Sequence, residues 1–385
     1  MKRAIVLSGG GSKGSYQIGV WKALRKLKID YQIVTGTSVG ALNGSLMTQK
    51  TYFRAKYIWH KLNLDYLFDQ SPKSNQNLDV LKLFGRNFVQ QGGMPLQKIE
   101  RIIEQYISPA KFYRSSIDFG LISFNATTKK EVVLTKKEIP QTKLVDYLMA
   151  SATCFPAFQM KKIDGQSYID GGIYDNLPIN LAITMGADEL IVVNLKAPGI
   201  TRKPKQAKPT IVITPRNQIS FFLNFNPEQA KTNIQYGYND TMKVFHKLDG
   251  NIFTFRKGTI TKWYHKEQKY LQKKLHKKIT TTHFLHLIES LGKSFHLAEY
   301  KIYRPYTFKK ALRTKVGEQE KISSEIKKQL KSLSWKKGSN TKVITLYMLS
   351  KLEKNQRIDK RLQTLFQKNY EQAILLQQMG CYYGK

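Results

Sequence analysis

The sequence is poor in sulfur pairs, in acid and in long apolar runs, and each shortage excludes something. It holds two cysteines, Cys154 and Cys381, far apart and with no C-x-x-C spacing, which excludes a disulfide framework and fits a reducing compartment. Seven histidines include one i, i+3 pair, but no motif with the spacing of a metal site stands out, so neither a metal nor a cofactor is expected. No apolar stretch approaches the ~18–20 residues that span a bilayer. Met1-Lys2-Arg3 is followed by only five apolar or small residues before glycines begin, too few for a signal peptide. The expected location is therefore the cytoplasm, with room for peripheral attachment to the inner face of the membrane. Acid is scarce as well: 27 acidic side chains stand against 64 basic ones, for a net charge of +37. The excess is uneven, +11 over residues 1–200 and +26 over 201–385. Such a basic half suits a polyanionic surface, anionic lipid or nucleic acid. Lysine outnumbering arginine 51 to 13 is also what an AT-rich genome produces with no partner at all.

What is present begins with enough apolar content, 41%, to build a real core over 385 residues. The buried-strand run Arg3-Ala4-Ile5-Val6-Leu7 leads straight into Ser8-Gly9-Gly10-Gly11-Ser12-Lys13-Gly14, and a helix-periodic segment follows. The loop is not a P-loop, because Lys13 precedes Gly14 where glycine should precede lysine. Its G-x-G-x-x-G spacing lacks the acidic residue that a dinucleotide site wants after the second strand. It does offer backbone N–H groups unobstructed by side chains near a helix start, the material of an oxyanion hole.

A second β-branched run ends in Thr35-Gly36-Thr37-Ser38-Val39-Gly40 before helical spacing resumes at Ala41, Leu42, Ser45 and Leu46. This G-x-S-x-G reads as a nucleophile elbow, a serine pushed out of a sheet edge at the start of a helix whose positive end favours a developing oxyanion. Both loops follow their strands, and in an open α/β sheet that puts them on one carboxyl edge. Farther on, strands are predicted over 118–125 and 131–135 as a pair, helices over 52–64, 96–106 and 143–151, and a short strand ending in Tyr168-Ile169-Asp170-Gly171-Gly172. Asp170 is the candidate acid, although an Asp-Gly pair is also an ordinary turn. Asp175 is a second candidate and reads more readily as a turn or capping residue. A histidine completing a triad would follow the acid, and the first to do so is His246.

Four blocks in order, Gly9-Gly10-Gly11-Ser12-Lys13-Gly14, Gly36-Thr37-Ser38-Val39-Gly40, Ala150-Ser151 with Pro156, and Asp170-Gly171-Gly172, resemble the patatin-like phospholipases. The resemblance covers about residues 3–245. It implies a three-layer α/β/α fold with a mostly parallel central sheet, and a lipid acyl hydrolase working with a serine and an aspartate alone. Carried over, Ser38 is the nucleophile, Asp170 its base, and the Gly10 and Gly11 amides the oxyanion donors. Gly9, Gly14, Gly36, Gly40, Gly171 and Gly172 fill the family's glycine positions, with Gly172 where many members have alanine. The implied substrate is a phospholipid or another acyl-ester lipid. Acyl transfer on the same dyad, and a basic membrane- or nucleic-acid-binding protein on a retired hydrolase fold, remain open beside it.

The expected division is a catalytic domain over 1–248 and a helical, lysine-rich region over 249–385 of no assigned role, with amphipathic segments at 322–333, 343–352 and 362–379. The chain carries no zinc-finger or RNP-like motif and no base-reading helix face, which points away from nucleic acid. An anionic membrane surface is the expected taker for the charge. The apolar cluster Ser220-Phe221-Phe222-Leu223-Asn224-Phe225, preceded by Arg202, Lys203, Lys205, Lys208 and Arg216, reads either as a segment that inserts there or, for Phe221, Phe222 and Phe225, as core packing the closing helix of the catalytic domain. The pocket wall is expected from residues 62–95.

Overall fold

The computed structural model describes residues 1–68, 72, 74, 76–219, 221–320 and 341–383. The expected segment at 322–333 and Ser220 of the apolar cluster lie outside them. The described chain divides into two compact units, Met1–Val244 and Phe245–Lys385.

In the first unit a parallel core is formed by β1 (Arg3–Leu7), β2 (Ile33–Thr37) and β3 (Asp118–Asn125). An antiparallel neighbour, β4 (Lys130–Thr135), pairs with β3. The short strands β5 (Lys161–Ile163) and β6 (Gln166–Asp170) join the end of β3 beyond β2, on the edge opposite β4, and β7 (Glu189–Val193) and β8 (Thr210–Ile213) extend the sheet past β1. The order is β5-β6-β3-β2-β1-β7-β8 with β4 off that path, eight strands among the described residues. Pairing is parallel from β3 through β2, β1 and β7 to β8, and antiparallel where β4, β5 and β6 join.

Among the described residues ten α-helices accompany this sheet: α1 (Ser15–Lys26), α2 (Val39–Thr48), α3 (Tyr52–Lys61), α4 (Leu64–Leu67), α5 (Asn77–Gln91), α6 (Gln97–Tyr106), α7 (Pro109–Arg114), α8 (Leu144–Ala152), α9 (Gly172–Asp175) and α10 (Ile179–Thr184). An eleventh, α11 (Pro227–Val244), ends the unit. The period of two along the strands explains the layers. Ala4, Val6 and Ile33 join Leu177, Ile179 and Ala182 in one core. Their alternates Leu7, Val34 and Phe119 meet α2 around Gly44 on the opposite face. Strands buried on both faces read as near-continuous apolar runs, as Ala4-Ile5-Val6-Leu7 does.

The second unit holds its own core. Helices α12 (Thr259–Leu275), α13 (Thr281–Ser294), α14 (Pro305–Gly317), α15 (Thr341–Glu353), α16 (Lys360–Leu365) and α17 (Gln367–Gln378) accompany a small sheet of β9 (Leu248–Asp249), β10 (Thr254–Arg256) and β11 (Ile302–Tyr303). Phe253, Phe255, Trp263, Phe284 and Phe308 pack edge to face at its centre. Three buried glutamates are each held by partners. Glu267 accepts from Lys309 and Trp263, Glu289 from the Asn251 and Phe253 amides, and Glu371 pairs with Lys277 and His283. Buried charge is tolerated only with such partners.

Candidate active site

The elbow closes because glycine stands where nothing larger fits. A Cβ on Gly36 would lie 2.3 Å from the Gly40 carbonyl oxygen, and one on Gly40 would lie 2.4 Å from the Leu7 carbonyl oxygen. Between them Ser38 is held at φ 59° and ψ −130°, a conformation that costs a non-glycine residue about 1–3 kcal/mol and persists only where surroundings enforce it. The enforcement is visible. The Ser38 amide donates to the Ser151 hydroxyl at 2.9 Å, and that hydroxyl donates in turn to the Ile122 carbonyl at 2.6 Å. The Ser38 carbonyl accepts the Ala41 amide at 2.8 Å and starts α2. Ser151 is fully buried on α8; in the sequence it belongs to a motif block with no role of its own.

Asp170 reaches the same point from the other direction. Along one edge of β3, β2 pairs in parallel up to Thr37 opposite Ile122, and β6 takes over antiparallel with Asp170 opposite Ser123. Two strands of opposite sense thus meet head-on, and their last residues put Ser38 and Asp170 together. The Ser38 hydroxyl is hydrogen-bonded to the Asp170 carboxylate. Asp170 Oδ1 also accepts the Gly172 amide at 2.7 Å. Burial pushes the Asp170 carboxyl up to about 6, the two hydrogen bonds opposing that rise without cancelling it. A Cβ on Gly171 would lie 2.2 Å from the Ile122 carbonyl oxygen, so the turn after the acid is also built on glycine. Asp175, the other candidate, is buried and accepts the Leu177 and Arg202 amides at 3.1 and 3.4 Å, a turn-stabilising role, while its backbone carbonyl accepts the Thr37 hydroxyl at 2.8 Å.

The glycine loop after β1 faces the pair. Gly11 sits at φ 53°, and a Cβ there would lie 2.1 Å from the Phe222 carbonyl oxygen. That carbonyl accepts the Ser12 amide at 2.8 Å, and the Phe221 carbonyl accepts the Ser12 hydroxyl at 2.8 Å. The 221–225 segment therefore buttresses the loop. Gly9 donates to the Asn176 carbonyl at 3.1 Å, whereas among the described residues no acceptor binds the Gly10 or Gly11 amides. Gly14 lies close under Val39, where a Cβ would come within 2.5 Å of a Val39 methyl.

Ser38, Asp170, Gly10 and Gly11 all line one cavity of about 640 Å³, within the ~300–1,000 Å³ range of small-molecule sites. Its walls are almost entirely apolar. Leu42 and Leu46 come from α2, Ile99, Ile102 and Ile103 from α6, and Met149, Phe155 and Phe158 from α8 and the loop after it. Leu62 and Leu67 contribute from the predicted 62–95 stretch, but α6, just beyond it, supplies more of the wall. Phe222, Leu223 and Phe225 line the cavity too, and Phe221 is half-buried beside them. The aromatic cluster that could read as membrane-inserting is thus turned inward, because the Ser12 contacts draw its backbone onto the glycine loop. No histidine lines the cavity among the described residues. Cys154 does, and burial, with the neighbouring Asp170 charge, pushes its thiol up to about 12, so it is no nucleophile.

The family model described as patatin-like phospholipase matches residues 5–183. The chain is 29% identical over 201 residues to patatin-like phospholipase domain-containing protein 6 of Homo sapiens, a match covering 50% of this chain and 13% of that protein. It is 28% identical over 192 residues to the probable lipid hydrolase 463L of Invertebrate iridescent virus 6, covering 47% of this chain and 63% of that protein. Less than two thirds of either relative is therefore spanned. Among solved structures, VipD from Legionella pneumophila aligns over 99% of this chain and 90% of its own with 14% identity and a TM-score of 0.38. The matched span runs from β1 into α10 and contains the glycine loop, the elbow and Asp170, so that over this span the chain is similar to the patatin-like phospholipases.

Proposed function

We propose that this protein is a serine lipid acyl hydrolase of the phospholipase A or lysophospholipase type, in which Ser38 and Asp170 work as a dyad. The observation that carries the reading is the head-on meeting of β2 and β6, which leaves a strained serine hydrogen-bonded to a carboxylate at the floor of an apolar cavity. A serine hydroxyl is a weak nucleophile without an adjacent base. Asp170, with its carboxyl raised to about 6, is ionised at neutral pH yet basic enough to take a proton.

In the first half-reaction Asp170 accepts the Ser38 proton as Oγ adds to the ester carbonyl. The oxygen that becomes negative lies against the Gly10 and Gly11 amides, which have no competing acceptor among the described residues. The intermediate collapses with loss of the alcohol, to which Asp170 returns the proton, leaving acyl-Ser38. Water then repeats the sequence with Asp170 again as base, and the free acid departs. The apolar walls suit an acyl chain, each buried methylene contributing ~0.8 kcal/mol. Hydrolysis of phosphatidylcholine and lysophosphatidylcholine, followed by fatty-acid release, tests the reading. Ser38→Ala should abolish release while leaving the fold intact. An active Ser38→Ala protein would remove the proposal.

A further inference from the structure

The mouth of the cavity continues into an apolar surface that the reaction does not use. Helix α5 buries Val80, Leu83 and Phe84 on its inner face. Its outer face carries Leu78, Leu81, Phe88 and Val89 at helical spacing, Val89 being 85% and Leu78 60% exposed. An ordinary surface helix is apolar on one side only. This face is continuous with the site: the Phe88 ring meets Phe155 edge to face at 5.8 Å, and Phe155, itself partly exposed, lines the cavity. Ile173 and Ile200 also line the cavity while remaining 45% and 55% exposed.

Cations flank these side chains. Lys82 and Arg86 are exposed on α5, and Arg202 and Lys203 follow Ile200 on an exposed strap. Arg202 is fixed by stacking on Tyr174 at 3.7 Å and by donating to the Tyr174 carbonyl. Among the described residues, the acidic groups nearby include Asp79, bonded to Ser74, Glu131, bonded to the Tyr174 hydroxyl, and Asp175, which accepts the Arg202 amide.

We propose that the outer face of α5, with Phe155, Ile173 and Ile200, is the surface on which this protein docks to an anionic bilayer, its cations lying at the headgroup phosphates and the cavity mouth opening onto the lipid. The inference rests on the hydrolase reading for its biological sense, but not for its test. Apolar side chains ringed by cations are the combination that holds a protein in the headgroup region. It replaces residues 221–225 as the inserting element, since those face inward, and it places the docking surface in the first unit despite the larger charge excess after residue 200.

Co-sedimentation of the full chain decides it, using vesicles of phosphatidylcholine alone and of phosphatidylcholine mixed with phosphatidylserine. A Ser38→Ala background keeps the lipid intact. Wild-type surface should bind the mixed vesicles more tightly, and added salt should weaken that binding. Lys82→Gln with Arg86→Gln should lower partitioning about fivefold per charge removed. Leu81→Ser with Val89→Ser should lower it about tenfold or more on both vesicle types. With Ser38 restored, both variants should cleave a dissolved short-chain ester as wild type does, which shows the site intact. Unchanged vesicle binding by both variants, or no binding by the parent chain, would overturn the proposal. So would concentration-dependent self-association abolished by Leu81→Ser/Val89→Ser in the absence of lipid, since the face would then belong to a second copy. Rim-dependent binding by a chain that cleaves no ester would sustain the docking surface and remove the hydrolase reading alone.

Discussion

Replacing Asp170 with asparagine should destroy activity and at the same time make the first unit more stable. Burial raises the carboxyl from 3.8 to about 6, roughly two units, and at ~1.4 kcal/mol per unit the ionised group costs the fold about 3 kcal/mol. The folded chain holds this proton more tightly than the unfolded one. Stability contributed by Asp170 is therefore highest below the unfolded value, falls as pH rises toward about 6, and stays at its lower level above that. Asparagine can accept the Ser38 hydroxyl and the Gly172 amide through its carbonyl oxygen without carrying charge. Asp170→Asn should gain about 3 kcal/mol over wild type near neutral pH, about half of that near pH 5, and only about 0.5 kcal/mol near pH 4. For a unit of this size the neutral-pH gain corresponds to about 6–12 °C in Tm. Ester hydrolysis should fall about 10³–10⁴-fold in the same protein, as the nucleophile loses its base. Urea unfolding and lipase assays on one preparation, at three pH values, give both numbers. An Asp170→Asn protein no more stable than wild type near neutral pH, or a gain independent of pH, would refute the claim that a desolvated, ionised carboxylate sits there.

Other outcomes follow from the same geometry. Ser38→Gly and Ser38→Ala should both be inactive, but the glycine variant should be more stable by about 1–3 kcal/mol because only it relieves the backbone conformation; thermal unfolding of the two compares them directly. Ser151→Ala leaves the buried Ser38 amide and Ile122 carbonyl without their shared partner, so it should cost about 1–3 kcal/mol and lower kcat more than it raises KM. The kcat/KM of wild type should rise about tenfold per pH unit to a plateau above about 6, where Asp170 is ionised. Gly11→Ala must displace the Phe222 carbonyl or the loop itself, and should lose most activity while circular dichroism reports an otherwise folded chain.

The local parts of the site were legible because their chemistry is local. Gly36 and Gly40 announce a close approach, and Asp170-Gly171-Gly172 a sharp turn, within a few residues of sequence. The meeting of β2 with β6 on one edge of β3 was not, since pairing of strands more than a hundred residues apart and of opposite sense leaves no mark in either strand. Helix α5 escaped for a different reason: apolar residues on both faces blur the period that identifies an amphipathic helix. Residues 221–225 show apolar character without direction. Aromatics that line a cavity and aromatics that meet a membrane look alike until the Ser12 contacts fix which way the backbone turns. In the second unit, helices α15 and α17 fall on predicted amphipathic stretches, whereas β9, β10 and β11, two or three residues each, are too short to carry a period.

The most direct measurement of the central claim is covalent labelling by a fluorophosphonate, with the modified residue identified by peptide mass spectrometry. An activated serine attacks phosphorus as it would an ester carbonyl, whereas an ordinary hydroxyl does not. One label per chain on the peptide bearing Ser38, lost in Ser38→Ala, slowed by orders of magnitude in Asp170→Asn and accelerating with pH through about 6, is the predicted result. Labelling elsewhere, equal labelling of the Asp170→Asn protein, or none at all would contradict the account.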